Sequence, residues 1–337
     1  VKIMKQVVFL MMLLLLVGCG EVQSDGEVVK SVASEVEDTN STEDVEGTLI
    51  QVNAKSDDVI ENGCYEGEIY IGAEDTCVLP LECENAETCI ARGDELVRIL
   101  EDEYGSLTAE ESVATDLEGV YDLYTYEIDN DVEQILTEDD VTDEDMEYHA
   151  ELWFDFAWLI PESEREDINQ FIVFESGDTL AYVNLHDDDG KYWTLGMNAE
   201  NIELASETMI TYIHEYAHYL SLRDGEQNIW VDLEACENVL IEDTGCFYED
   251  AYLTAFYEQF WNPASEYEED YISGYAASSV VEDFAESFAH FVLTPQPTDI
   301  STMADEKITF FYGSDYFVEL RAHILTRAAT WLVRAVV

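Results

Sequence analysis

Two histidines four positions apart, with a glutamate directly after the first, place the strongest constraint on this chain: His214-Glu215-Tyr216-Ala217-His218 spells H-E-x-x-H. Residues at i and i+4 stack on one face of a helix, so the two imidazoles can share one metal ion only if the segment is helical. The flanks agree with a helix. Ser206 followed by Glu207 offers an N-terminal cap, Ile210, Ile213, Ala217 and Leu220 form an apolar stripe beside the histidines, and Arg223-Asp224-Gly225 offers a stop. Only six histidines occur in 337 residues, so the spacing is rarely met by accident. Zinc is the usual occupant of such a pair. With a third protein ligand and one open position it lowers the pKa of its water toward ~7, and Glu215 stands where it can take the proton. The chemistry implied is hydrolysis of a peptide bond.

Two carboxylates compete for the place of third ligand. Glu282 lies in Val281-Glu282-Asp283-Phe284-Ala285-Glu286-Ser287-Phe288, where Glu282 and Glu286 share a helix face and Ala285 and Ala289 permit close helix approach. Ser279-Val280-Val281-Glu282 also spells a capping box, a local use of Glu282 that leaves Glu286 unexplained. The rival is Asp224, which completes H-E-x-x-H-x-x-S-x-x-D. That is similar to the metzincin pattern with Asp in the last ligand place, but metzincins carry glycine for a sharp helix turn where this chain has Ser221. Glu282 is therefore the expected ligand.

H-E-x-x-H followed downstream by E-D-F-A-E-S-F resembles the gluzincin-type bacterial zinc metallopeptidases and, more distantly, the group of anthrax lethal factor and Pro-Pro endopeptidase. The resemblance is strongest over 165–295. It implies an α+β, zincin-like domain, with a small mixed sheet over the HEYAH helix and a mainly helical C-terminal half; the cysteines from 64 to 89 read separately as a disulfide-braced N-terminal piece before it. The resemblance also implies Zn2+ as cofactor, held by His214, His218 and Glu282, with Glu215 as general base and a peptide or protein as substrate. Glu286, one turn past Glu282, becomes the carboxylate that orients a ligand imidazole. Tyr275, seven residues before Glu282, takes the place of a hydroxyl that donates to the tetrahedral intermediate, with Tyr271 as the fallback. In such domains the edge strand of the sheet binds the substrate backbone, and Trp193 to Met197 is either that edge or an interior strand. The rival class is a non-catalytic surface lipoprotein that keeps the fold as a binding module; a scaffold of that kind has no physical need of Glu215 beside the metal.

The N-terminus bears on the compartment. Lys2 and Lys5 precede an apolar run from Val7 to Val17, and Leu16-Val17-Gly18-Cys19 matches the lipobox of bacterial lipoproteins, so 1–18 reads as a signal peptide and Cys19 as the lipidated residue. An extracytoplasmic protein anchored by lipid to a bacterial membrane or cell surface is the expectation. Apart from Cys19, the cysteines are Cys64, Cys77, Cys83, Cys89, Cys236 and Cys246, an even set that in an exported chain reads as disulfides. Cys236 and Cys246 pair most simply across a short loop; connectivity among the other four stays open. The net charge of −64, with 77 acidic residues against 13 basic, excludes nucleic acid as a partner and suits a saline habitat. Asp187-Asp188-Asp189-Gly190 reads first as a hairpin turn and only secondarily as a calcium loop.

Composition divides the chain into a signal peptide at 1–18, an acidic flexible tether at 19–60, a disulfide-rich subdomain at 61–105 and the metallopeptidase domain at 106–337. Helices are expected over Asp94 to Tyr104, Asp145 to Leu159, Phe247 to Trp261 and within 301–337; strands over Phe171 to Phe174, Leu180 to Leu185 and Tyr192 to Leu195. Arg321, Arg327 and Arg334 are expected to pair with acids, and His149, His186 and His290 to be surface histidines rather than ligands.

Overall fold

The structure is a computed structural model that describes residues 69–71, 76–78, 85–108, 121–129, 132–135 and 141–335, interrupted at 177–178, 187–189, 200–204, 232, 242–243, 262–263 and 266. The segments expected to be a signal peptide and a tether, the expected lipidation residue Cys19, Cys64, Cys83 and Asp187, Asp188 and Asp189 lie outside the described residues, as does the side chain of Cys77.

The elements run β1 (Ile69–Ile71), β2 (Thr76–Val78), α1 (Ala86–Tyr104), β3 (Tyr121–Asp129), β4 (Val132–Ile135), α2 (Asp143–Leu159), β5 (Ile168–Glu175), β6 (Ala181–Leu185), β7 (Trp193–Asn198) and α3 (Ala205–Leu222). After the H-E-x-x-H helix come β8 (Val239–Ile241), β9 (Gly245–Phe247), α4 (Tyr252–Phe256), α5 (Val280–Leu293), α6 (Met303–Phe311) and α7 (Asp315–Ala335). The architecture of the described residues is mixed and mostly helical, with two two-stranded ladders, β1/β2 and β8/β9, and one five-stranded sheet.

That sheet has the order β4-β3-β5-β7-β6, antiparallel except for the parallel β5/β7 pair. Every residue of β7 is buried, as a strand flanked on both sides and covered on both faces must be. Trp193 to Met197 is thus interior, and β6 is the edge next to it. Both strands are short and apolar, so their local pattern does not distinguish edge from interior. Gly196 is required by β7's setting: a Cβ there would stand 2.4 Å from the Tyr182 ring across the ladder. The β6/β7 hairpin ends on Gly190 at φ +66°, a conformation that favours glycine.

The helices follow from their caps and apolar faces. Thr142 caps α2 by accepting the Asp145 N–H, three acids occupy its first turn, and Trp153, Phe156 and Leu159 are buried beneath the sheet's partner Phe171 and α3's Tyr212. A capping box between Thr302 and Asp305 starts α6. Around α5 an aromatic core forms, with Phe284 and Phe311 ring centroids 5.1 Å apart and Phe311 and Phe317 5.3 Å apart. Against this core α3 packs directly on α5, which brings the two halves of the candidate site together. Among the described residues no helix is long and apolar enough to cross a membrane.

Several expectations are corrected. The helix at the N-terminal boundary starts at Ala86 rather than Asp94, and its Leu96, Val97 and Leu100 enter the main core. Its Asp94 receives Arg321 at 3.0 Å, the expected acid partner. Arg327 instead donates to the Trp158 carbonyl at 3.0 Å, because the last turn of α2 leaves carbonyls without helical partners. His149 is buried, with the Tyr126 hydroxyl 2.6 Å from Nδ1, and burial lowers its pKa; His290 is half-buried, so of these three histidines only His186 is exposed. Phe247 ends a strand rather than starting a helix: α4 begins at Tyr252 and passes into a π-helical turn over Tyr257–Trp261. Ser206 lies inside α3, not at its cap. The Cys236–Cys246 disulfide forms across the β8/β9 hairpin, and Cys89 is also disulfide-bonded.

Candidate metal centre

Helix α3 carries His214, Glu215 and His218, all buried, with the two imidazole centroids 4.6 Å apart. Opposite them stands the first turn of α5. Ser279 caps that helix by accepting the Glu282 N–H at 3.2 Å, which uses the backbone of Glu282 and leaves its carboxylate free to turn toward the histidines. Glu282 Oε2 lies 3.2 Å from His214 Nε2 and 3.1 Å from His218 Nε2, and the two Nε2 atoms are 3.0 Å apart. These side chains meet from positions 68 residues apart in the chain, through the α3/α5 packing.

The donor set suits a divalent cation. His214 Nδ1 lies 2.9 Å from Glu286 Oε1, so the N–H of the neutral ring points at Glu286 and the Nε2 lone pair faces the centre. Two imidazole nitrogens and a carboxylate oxygen then converge, an arrangement of mutually repelling lone pairs unless a cation or a proton lies among them. Ligands of a tetrahedral zinc at about 2.0–2.1 Å stand about 3.4 Å apart, close to the spacing found. Among the described residues, His214, His218 and Glu282 are the one group of this kind. His218 Nδ1 is buried with no hydrogen-bond partner among the described residues, so a carboxylate orients one imidazole and not the other.

Electrostatics follow the same geometry. Burial pulls the His214 pKa down, but Glu282 and Glu286 outweigh it and hold the pKa well above 6.5 in the metal-free protein. Burial pushes Glu282 up, and the facing His218 and His214 more than reverse this, leaving its pKa below the usual carboxylate range. Glu215 is raised: burial dominates over the lowering effects of His218, His214 and a hydrogen bond from the backbone N–H of Val183 on the edge strand. A carboxylate with a raised pKa accepts a proton more readily near neutral pH.

Tyr275 is brought to this centre, its ring stacked on His214 with centroids 5.8 Å apart and planes at 27°. Tyr271 goes elsewhere: its hydroxyl donates to the Ser265 carbonyl at 3.1 Å and its ring lies under Lys307. Asp224 is exposed and stands apart from the three-ligand group. Helix α3 continues through buried Ser221, whose hydroxyl bonds the His218 carbonyl at 3.2 Å, so the chain does not turn back where Asp224 would need it to.

Sequence reasoning missed three features. Ser273 donates to Glu286 Oε2 at 2.9 Å. Val183 meets Glu215 through its backbone, which leaves no side-chain signal. Asp283, beside Glu282, receives Lys307 Nζ at 2.7 Å and the Nε1 of half-buried Trp261 at 2.6 Å; an acidic residue inside the apolar run of α5 was the available signal.

With this geometry in hand, comparison with known proteins adds one finding. Residues 185–331, which include the edge strand's end, both helices of the candidate centre and most of α7, match the model of a family described as "Putative zinc-binding metallo-peptidase". Neither the curated proteins nor the solved structures gave a match. The chain is therefore similar, across the part that builds the centre, to a zinc-binding metallopeptidase family, and its His-His-Glu group suits that metal.

Proposed function

We propose that this protein is a zinc-dependent endopeptidase of gluzincin arrangement, with His214, His218 and Glu282 as ligands and Glu215 as the general base. The convergence of three lone-pair atoms beside a buried carboxylate of raised pKa carries this reading. Zinc, when bound, supplies Lewis-acid activation of water and of the scissile carbonyl. Glu215 takes the proton of the attacking water and passes it to the leaving amine nitrogen, a transfer favoured by its burial. Glu286 holds the His214 ring through Nδ1. The Tyr275 hydroxyl donates to the oxyanion that develops at the carbonyl.

The substrate lies along β6. His186 N–H bonds the Tyr192 carbonyl and Asn198 N–H the Leu180 carbonyl, so by antiparallel alternation the backbone groups of Ala181, Val183 and Leu185 face away from β7, with the Val183 N–H already given to Glu215. An extended peptide adds there as a further strand. The contact of α3 with edge strand β6 on one side and with α5 on the other supports reading this as a zincin-like domain. The Cys236–Cys246 disulfide supports an oxidising, extracytoplasmic setting, in keeping with a lipid anchor at Cys19 and the membrane as its partner.

Metal analysis and peptide-library cleavage by wild-type protein and Glu215→Gln test the proposal. The expected result is stoichiometric zinc in both and a turnover reduced by about 10²–10⁴-fold in the variant. Wild-type protein without zinc, or near-normal turnover by zinc-loaded Glu215→Gln, overturns it.

A further inference from the structure

The turn that leads into α5 is tied to the centre by one hydroxyl. Ser273 Oγ donates to Glu286 Oε2 at 2.9 Å and accepts the Ala276 N–H at 3.0 Å. The other oxygen of Glu286 meets His214 Nδ1 at 2.9 Å. Within the turn that Ser273 closes sits Tyr275, whose ring stacks on that same His214. The contacts form a circuit: Ser273 to Glu286, Glu286 to His214, His214 to the Tyr275 ring, and Tyr275 back through the turn to Ser273. The Tyr275 carbonyl accepts the Ser278 N–H at 2.9 Å, and Ser279 then caps α5, so a continuous series of capped turns runs from Ser273 to Glu282.

We propose that Ser273 is a positioning residue that couples the orientation of the His214 imidazole to the placement of the Tyr275 ring. This rests on the zinc peptidase reading above and adds to it a residue that touches neither metal nor substrate. A hydroxyl is needed because the position demands a donor toward the carboxylate and an acceptor toward the amide at once. The terminal torsion of a glutamate is broad, so a carboxylate held through one oxygen can swing and the imidazole with it. Held through both, Glu286 presents one fixed direction to His214. The same hydroxyl fixes the turn that carries Tyr275, so the ligand and the oxyanion donor share a reference point.

The test uses the full chain with Ser273→Ala, Ser273→Thr, Tyr275→Phe and the double variant Ser273→Ala/Tyr275→Phe. Zinc affinity by chelator competition, kcat and KM on a cleaved library peptide, and unfolding of the metal-free forms are the readouts. Ser273→Ala should weaken zinc binding by about tenfold, at the low end for loss of a group behind a ligand, and lower kcat with little change in KM. Ser273→Thr should restore both, and metal-free unfolding should stay close to wild type. Tyr275→Phe should cost less kcat in the Ser273→Ala background than alone, because a displaced ring has less to lose. Unchanged zinc affinity and kcat in Ser273→Ala, additive effects in the double variant, or failure of threonine to rescue overturns the proposal. A wild-type protein that holds no zinc or cleaves nothing counts instead against the zinc peptidase reading beneath it.

Discussion

Glu286 Oε1 lies 2.9 Å from His214 Nδ1, and Glu286 stands one helical turn beyond Glu282, whose Oε2 lies 3.2 Å from Nε2 of the same ring. One face of α5 thus grips both nitrogens of one imidazole, the outer through Glu286 and the inner through the group that shares the centre with Glu282. Helix periodicity alone produces this, since residues four apart project in the same direction.

The pairing predicts separable losses. Glu286→Gln removes the charge behind His214 but keeps an acceptor, and Glu286→Ala removes both. Zinc affinity should fall by about 10–100-fold in Glu286→Ala and by less in Glu286→Gln. Chelator competition on the purified variants measures it; equal affinity in all three proteins would show that His214 needs no such support.

Between the rival third ligands, the geometry favours Glu282 over exposed Asp224. Glu282→Ala should strip zinc at concentrations that saturate the wild type, while Asp224→Ala should leave affinity within about twofold, as for surface changes away from a site. Metal content after dialysis decides, and loss of zinc in Asp224→Ala alone would reverse the ligand assignment.

Much of the centre was legible because its signals are local. H-E-x-x-H and the Glu282/Glu286 pair each declare a helix face within five residues, and tertiary packing only has to bring two faces together. What stayed hidden is set by approach of distant backbone. Val183 reaches Glu215 through an amide that every residue carries, and Ser273 acts through a hydroxyl with no spacing to mark it. The edge of the sheet was equally opaque: β6 and β7 are both short and apolar, and pairing partners decide which is interior. Arg327 was expected to seek a carboxylate in so acidic a chain, yet the open carbonyls at the end of α2 lay closer.

Behind the centre, Lys307 and Asp283 form an ion pair at 2.7 Å with both side chains almost fully buried, and Lys307 Nζ also donates to the Asp270 carbonyl at 2.9 Å. Removing one member leaves an uncompensated buried charge, so Lys307→Met should destabilise the metal-free protein by about 3–5 kcal/mol. Lys307→Met with Asp283→Asn should cost less than Lys307→Met alone. Denaturant unfolding of the two variants checks this; a double variant less stable than the single one would mean that the pair is not the source of the loss.

Zinc and protons compete for the lone pairs of the same histidines, which gives the metal's stabilising effect a pH dependence of definite sign. In the metal-free protein the His214 pKa is raised well above 6.5: burial opposes the charge, but Glu282 and Glu286 prevail. A histidine whose folded pKa exceeds its unfolded value contributes stability that is complete below 6.5 and is lost as pH rises through the folded pKa. Zinc binding requires the unprotonated ring, so the stability that zinc confers grows over the same interval. Glu282, with its pKa depressed from 4.5, contributes stability that is present above 4.5 and is lost only as pH falls through the lower folded value, so it is constant in this window. The gap in Tm between zinc-saturated and metal-free protein should therefore widen from pH ~5.5 to ~8.5. In Glu286→Ala, which lacks one of the two carboxylates that hold the His214 proton, the metal-free protein should lose its share of stability at lower pH, and the widening should begin earlier. A gap that is flat or narrows with rising pH would mean that His214 does not exchange a proton for the metal, and the ligand set would then have to be sought elsewhere.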